Sequence, residues 1–136
     1  MTARVLVVDD TANVRELIRV NLELEGLEVH LAADGQEALD MVEALSPDLV
    51  TMDVMMPRLD GLAAAAALKS RPATAEIPIV MVTARAQASD RRAGAAAGVD
   101  AYLTKPFDPD ELVATVLALL PADVRPSGGH PPPAAT

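Results

Sequence analysis

The stretch LVTMDVMMPRLDG, residues 49–61, decides how this chain folds. Leu49, Val50 and Met52 read as a buried strand, and that strand runs straight into Asp53, two methionines and a proline. An acid where an apolar strand meets the edge of its sheet has two readings. It caps a helix or opens a turn, or it stands there to handle a ligand. The rest of the chain has to decide between them.

Outward from this stretch, short β-branched runs alternate with longer helical ones. RVLVV (4–8) is a continuous apolar run, the mark of a strand buried on both faces. Over 13–25, Val14, Leu17, Ile18, Leu22 and Leu24 recur at mostly helical spacing, and Gly26 is placed to stop the helix. LEVHLA (27–32) is a second, partly exposed strand. Asp34 then caps a helix carrying Ala38, Leu39, Val42 and Leu45. PDLVTMD (47–53) is the third strand, followed by an Ala-rich helix over 61–70. IPIVMVTA (77–84) is the fourth. A helix from Ser89 stops at Gly98, and VDAYLT (99–104) is the fifth strand. In DPDELVATVLALL (108–120), Asp108 is an N-cap, Pro109 sits at N1 and Glu111 at N3, a strong helix start. Five strand–helix units in strict alternation predict an α/β fold. Its parallel sheet has helices on both faces and right-handed crossovers. The domain is expected over 1–121. Residues 122–136, rich in Pro, Gly and Ala, read as a disordered tail or linker.

Composition narrows the function classes. At 136 residues, 51% of them hydrophobic, the chain suffices for one domain with a real core. A formal charge of −9 disfavours direct contact with nucleic-acid backbone or an anionic membrane surface. The absence of cysteine excludes thiolate chemistry. With no leader pattern and no apolar run of membrane length, the expectation is a soluble cytoplasmic protein. The two lysines are Lys69 and Lys105, and the two aromatics are Tyr102 and Phe107. YLTKPF (102–107) therefore gathers one lysine and both aromatics, which points to a site rather than to packing.

Ligands of an open parallel sheet bind beyond the carboxyl ends of its strands. There, strand one offers Asp9 and Asp10, strand three Asp53, strand four Thr83 and Ala84, and strand five Thr104 and Lys105. Three carboxylates in one crevice repel, and keeping them ionised calls for a cation. All-oxygen donors without His or Cys suit a hard ion such as Mg²⁺. Lys105 adds a compact positive charge, and Thr83 a hydroxyl donor. A cation, a lysine and a hydroxyl around one Asp are the parts that stabilise a transferring phosphoryl group. An aspartate is itself a competent nucleophile for that transfer. Asp53 is the candidate phosphoacceptor.

With these residues in place, the chain resembles the receiver domains of bacterial two-component response regulators (the CheY-like superfamily). The resemblance covers residues 3 to about 120 and rests on four ordered motifs: VVDD (7–10), MDVMMPRLDG (52–61), VMVTA (80–84) and YLTKPF (102–107). It implies a flavodoxin-like, doubly wound (βα)₅ fold with strand order 2-1-3-4-5. It implies that Asp53 accepts a phosphoryl group from a sensor histidine kinase or phosphotransfer protein. Asp10, Asp53 and the Met55 carbonyl would hold Mg²⁺, with Asp9 acting mainly through water. Lys105 would pair with the phosphoryl group, Thr83 would swing in to bond it, and Tyr102 would follow inward. The altered surface, 89–120, would control an output domain or partner. The chain would be a signalling domain that assists only its own phosphorylation and dephosphorylation. The Lys105–Pro106 bond would be cis. Met55 and Arg85 should flank the mouth of the site, and a thioether there should make self-dephosphorylation slow.

Other residues read more blandly. Asp60–Gly61 looks like a turn, His30 and His130 lack ligand partners, and Arg91 and Arg92 form a solvated face. On the last helix Leu112, Val113, Val116, Leu117 and Leu120 should be core. Ala114, Thr115, Ala118 and Leu119 form an apolar outer strip for a partner or a homodimer. Two rivals share the architecture. A flavin-binding electron carrier needs a Ser/Thr/Gly loop after strand one, where this chain has two acids. An aspartate-nucleophile phosphatase places its nucleophile at the end of strand one with a second acid two residues on. A degenerate, unphosphorylated receiver is the third alternative, and the intact acids and lysine argue against it.

Overall fold

The computed structural model describes residues 2–85 and 87–125. Five strands, β1 (Arg4–Val8), β2 (Glu28–Ala32), β3 (Leu49–Met52), β4 (Ile79–Thr83) and β5 (Ala101–Thr104), alternate with five helices. These are α1 (Ala12–Leu24), α2 (Gly35–Leu45), α3 (Gly61–Ser70), α4 (Ala88–Ala96) and α5 (Pro109–Leu119). All strands are parallel, in the order β2-β1-β3-β4-β5. This is the expected flavodoxin-like topology.

Period-two side-chain alternation splits each apolar run between two layers. Val5 and Val7 join Leu49, Val80 and Val82 under α1 and α5, packed by Ile18, Leu22, Leu112, Val116 and Leu120. Leu6 and Val8 join Val50, Met52, Ile79 and Met81 on the other side, against Ala38 and Val42 of α2 and Ala64, Ala65 and Leu68 of α3. Alanines in α3 let that helix lie close to the sheet. The caps follow the sequence: Asp34 accepts from Glu37 N at 2.8 Å and Asp108 from Asp110 N at 2.9 Å. Gly26 and Gly98 take the left-handed conformation, φ 86° and 93°, that ends α1 and α4.

Three details depart from the sequence reading. Past Leu120 a 3₁₀ turn, Ala122–Val124, tucks Val124 into the α1/α5 core at 6% exposure. Arg125 folds back to donate to Leu120 O (2.8 Å) and Ala118 O (2.9 Å), satisfying carbonyls at the end of α5. The packed unit thus runs four residues beyond 121, and the rest of the expected tail, 126–136 with His130, lies outside the described residues. Leu119 turns half-way into the core, so the outer strip of α5 shrinks to Ala114 and Ala118, with Thr115 bonded to Glu111 O at 2.8 Å. The large exposed apolar side chains lie elsewhere, on Leu17, Val20 and Leu24 of α1 and at Met55. No described helix is long and apolar enough to cross a membrane.

One buried group is unmatched. Thr51, in the middle of β3 between Val7 and Val80, is 1% exposed, and its hydroxyl has no hydrogen-bond partner among the described residues. A lost donor of this kind costs about 1–3 kcal/mol. Thr51→Val, close in volume, is therefore expected to raise the unfolding free energy by about 1 kcal/mol in urea titrations. An unchanged or lower midpoint would show that the hydroxyl is satisfied.

Candidate functional site

The sheet ladder continues one residue past the strands and aligns the site. Asp9 N donates to Ala32 O (3.1 Å), Asp53 N to Val8 O (3.1 Å) and Lys105 N to Thr83 O (2.8 Å). Three side chains from β1, β3 and β5 are thereby brought to one crevice. Lys105 Nζ lies 2.8 Å from Asp9 Oδ2 and 2.9 Å from Asp53 Oδ2. Asp9 and Asp53 are buried while Asp10 is exposed, and one carboxylate oxygen from each of the three lies within 4.8 Å of the others. Asp9 Oδ1 accepts from Thr11 N (2.9 Å) and Asp53 Oδ1 from Met55 N (3.1 Å), which fixes both carboxylates from behind.

The electrostatics are unbalanced by design of the sequence: three acids face one ammonium. Burial pushes the Asp9 carboxyl above its ordinary value, against the bonds from Lys105 and Thr11 that favour its charge. Burial works to lower the Lys105 ammonium, but the bonds to Asp9 and Asp53 outweigh it and the net direction is upward. All-oxygen donors at this spacing fit a hard divalent cation, which would relieve the surplus of negative charge.

Thr83, at the end of β4, is fully buried and its hydroxyl accepts from Arg85 N at 3.3 Å. Tyr102 lies on β5 with its hydroxyl donating to Arg85 O at 2.8 Å. Burial, then Asp90, pushes the Tyr102 phenol upward. Arg91 is not merely solvated: its guanidinium carbon lies 5.0 Å from the centre of the Tyr102 ring. Arg92 is exposed. Met55 and Arg85 both line an open cavity of about 410 Å³ with Val54, Met56, Asp60 and Leu62. The Lys105–Pro106 bond is cis. His30 bonds Glu28 at 2.6 Å, at a distance in sequence and sheet from these acids.

Sequence reasoning undervalued Asp60–Gly61. Asp60 caps α3 by accepting from Ala63 N (2.8 Å), and Gly61 N donates to Val54 O (2.9 Å). A Cβ on Gly61 would overlap the carbonyl of Asp53, so only glycine lets α3 start against the back of that residue. The pair is the start of α3 rather than a free turn, and it fixes the acid. A second missed contact is Arg58, at φ 67°, whose guanidinium reaches Asp34 at 3.0 Å and ties the loop after Asp53 to α2.

An acid crevice with an opposed lysine, at the carboxyl edge of a five-stranded doubly wound sheet, lies where α/β domains of this class bind their ligands. The profile of the response regulator receiver domain matches residues 5–117, and the chain belongs to that family. The response regulator MprA of Mycolicibacterium vanbaalenii is 50% identical over 120 residues, covering 88% of this chain and 51% of that protein. The MprA of Mycobacterium sp. strain KMS is 48% identical over all 136 residues, 58% of its own length. The chain thus spans about half the length of these curated relatives. Among solved structures, Vibrio cholerae chemotaxis protein CheY4 superposes with TM-score 0.84 at 33% identity, over 88% of this chain and 100% of that one. The receiver domain of Francisella response regulator 1452 gives 0.81 at 33% identity, over 87% and 96%. The chain is a receiver domain of two-component signalling.

The raised Asp9 carboxyl fixes a sign. A group whose folded pKa is raised lends its full stability below its unfolded pKa and loses it as pH rises through the folded value. At neutral pH metal-free protein therefore carries a destabilising Asp9 charge. Asp9→Asn should melt higher than the unsubstituted chain without metal. Mg²⁺ should raise the melting temperature of the unsubstituted chain, by about 1.4 kcal/mol of stability at ten times Kd, and should not raise that of Asp53→Asn. A melting temperature indifferent to Mg²⁺ in the unsubstituted chain would reject the cluster as a cation site.

Proposed function

We propose that this receiver takes a phosphoryl group on Asp53 from a sensor histidine kinase or phosphotransfer protein, in a Mg²⁺-dependent step. The observation that carries this reading is Lys105 Nζ held between Asp9 and Asp53 beside a third acid. Asp53 attacks phosphorus through a carboxylate oxygen. The bond from phosphorus to the donor's imidazole nitrogen breaks, and the imidazole leaves with the electron pair and is protonated from solvent. Asp10, Asp53 and the Met55 carbonyl, with Asp9 through water, are the groups we assign to Mg²⁺. When bound, the ion neutralises charge on the transferring oxygens. Lys105 moves its ammonium from the carboxylates to a phosphoryl oxygen, and the Thr83 hydroxyl turns from Arg85 N to donate to another. Tyr102 then turns inward, which changes the surface of α4, β5 and α5.

That surface is where an output domain or partner would read the state. A homodimer through α5 would rest on Ala114 and Ala118 and on the exposed edge of Leu119. Residues 1–121 with the 3₁₀ turn form the receiver, and the Pro/Gly-rich residues beyond serve as a tail or as a linker toward an output domain. The domain contributes no chemistry beyond its own phosphorylation and dephosphorylation, and no direct nucleic-acid or membrane contact. A cytoplasmic location suits this role.

The test is intact-mass measurement after incubation with acetyl phosphate and Mg²⁺. The expected result is one added phosphoryl group, blocked by EDTA and absent from Asp53→Asn. A phosphoryl group that persists in Asp53→Asn would move the acceptor elsewhere.

A further inference from the structure

The chain has no cysteine, so its sulfur chemistry rests on methionine. Met52 and Met81 are fully buried in the sheet, and Met41 and Met56 are partly buried against the α2/α3 core. Met55 differs from these four: it is 54% exposed. It stands two residues after Asp53, its backbone N–H bonded to Asp53 Oδ1. Its side chain lines the same open cavity as Arg85. The Arg85 side chain is 49% exposed, and its guanidinium lies 3.7 Å from its ion-pair partner, Asp90 Oδ1.

We propose that Met55 is an oxidation site whose sulfoxide shortens the life of the phosphoryl group on Asp53, a proposal that rests on the reading of Asp53 as acceptor. The oxidant is a peroxide. The thioether sulfur attacks one peroxide oxygen and the O–O bond breaks. Sulfur is oxidised by two electrons to the sulfoxide, and the departing oxygen takes a proton and leaves as water or an alcohol. The chain length and shape of the residue barely change, but its chemistry does. A thioether is a weak acceptor, whereas a sulfoxide presents a strong acceptor oxygen. At the mouth of the site that oxygen accepts a hydrogen bond from a water molecule and leaves the water's lone pair free to face phosphorus. Arg85, across the same cavity, is placed to donate to the sulfoxide and hold it there. The unmodified side chain cannot orient water in this way. The phosphoryl signal would then persist in reducing conditions and decay faster under oxidant. Sulfoxide reduction by a thiol-dependent reductase returns the slow state.

The first measurement uses unphosphorylated protein treated with limiting hydrogen peroxide and digested for mass spectrometry. Oxygen is expected on Met55 before Met41 or Met56. In the second, peroxide is removed and the protein is charged with acetyl phosphate and Mg²⁺. The donor is then removed, and loss of the phosphoryl group is followed by intact mass. Oxidised protein is expected to lose it about fivefold faster, the worth of one net hydrogen bond in the transition state. In Met55→Leu, peroxide should leave the decay rate as it was before treatment. In Met56→Leu the oxidant effect should remain. Met55→Gln, untreated, should decay faster than the unsubstituted chain. Oxidation of Met41 or Met56 ahead of Met55, or equal decay of oxidised and unoxidised protein, overturns the proposal. A chain that takes no phosphoryl group on Asp53, oxidised or not, overturns the functional reading as well, while the order of oxidation still reports on Met55 alone.

Discussion

The ammonium of Lys105, 2.8 Å from Asp9 and 2.9 Å from Asp53, is the interaction on which the rest of the site depends. It joins the ends of β1, β3 and β5, elements that lie far apart in sequence. Two buried carboxylates this close would repel strongly in a low-dielectric crevice. The lysine offsets part of that repulsion without cancelling it, because Asp10 adds a third negative charge. The crevice is therefore left able to gain from one more cation. It also holds a positive group that an anionic oxygen entering the crevice can recruit. Neither property would survive a one-residue slip of a strand. The parallel register that sets Val8 beside Met52 and Thr83 beside Thr104 also sets the acids and the lysine at one level.

Backbone as much as side chain shapes the crevice. Gly61 allows the first turn of α3 to close on the carbonyl of Asp53, and Gly35 leaves room for Leu59 O, 2.5 Å from where a Cβ would stand. The loop after Asp53 is thus pinned at both ends, by α3 behind it and by the Arg58–Asp34 pair at the start of α2. The exposed pair is worth little by itself. The glycine contacts are steric and leave no alternative path. Pinning the loop sets the Met55 N–H against Asp53 Oδ1 and presents the Met55 side chain outward, to the cavity it shares with Arg85.

The strands, the caps at Asp34 and Asp108 and the converging acids were legible in the sequence because each is carried by a short-range or periodic signal. Continuous apolar runs mark strands buried on both faces, and an acid just past such a run can only lie at the sheet's carboxyl edge. What sequence misplaced depends on how elements pack. Leu119 lies near the end of α5, where the helix meets the 3₁₀ turn that buries Val124. The turn carries the core past the last helical residue, and Leu119 packs with it. Arg91 reads as solvated on a helical wheel, yet it covers an aromatic ring supplied by β5. Residues 122–125 look like tail by composition, but one valine and one arginine are enough to hold them to α5. The role of Gly61 was hidden for the same reason: Asp-Gly marks a turn in any protein, and only the tertiary fold shows what lies behind it.

Tyr102 shows how a change at the acids can reach the surface. Its ring lies against Gly94 of α4, where a Cβ would come within 3.1 Å of it, and beneath the Arg91 guanidinium, while its hydroxyl bonds Arg85 O. Arg85 is also the residue whose N–H donates to the Thr83 hydroxyl. One short loop therefore holds the threonine at the site by its amide and the tyrosine at the surface by its carbonyl. If the Thr83 hydroxyl turns toward a new acceptor, the amide of Arg85 loses its partner. The loop is then free to release the tyrosine hydroxyl with it. Gly94 and Arg91 of α4 border the ring on the side facing that helix. Arg85 thus links the Thr83 hydroxyl in the crevice to Tyr102, and through the Tyr102 ring to Arg91 of α4, by direct contacts.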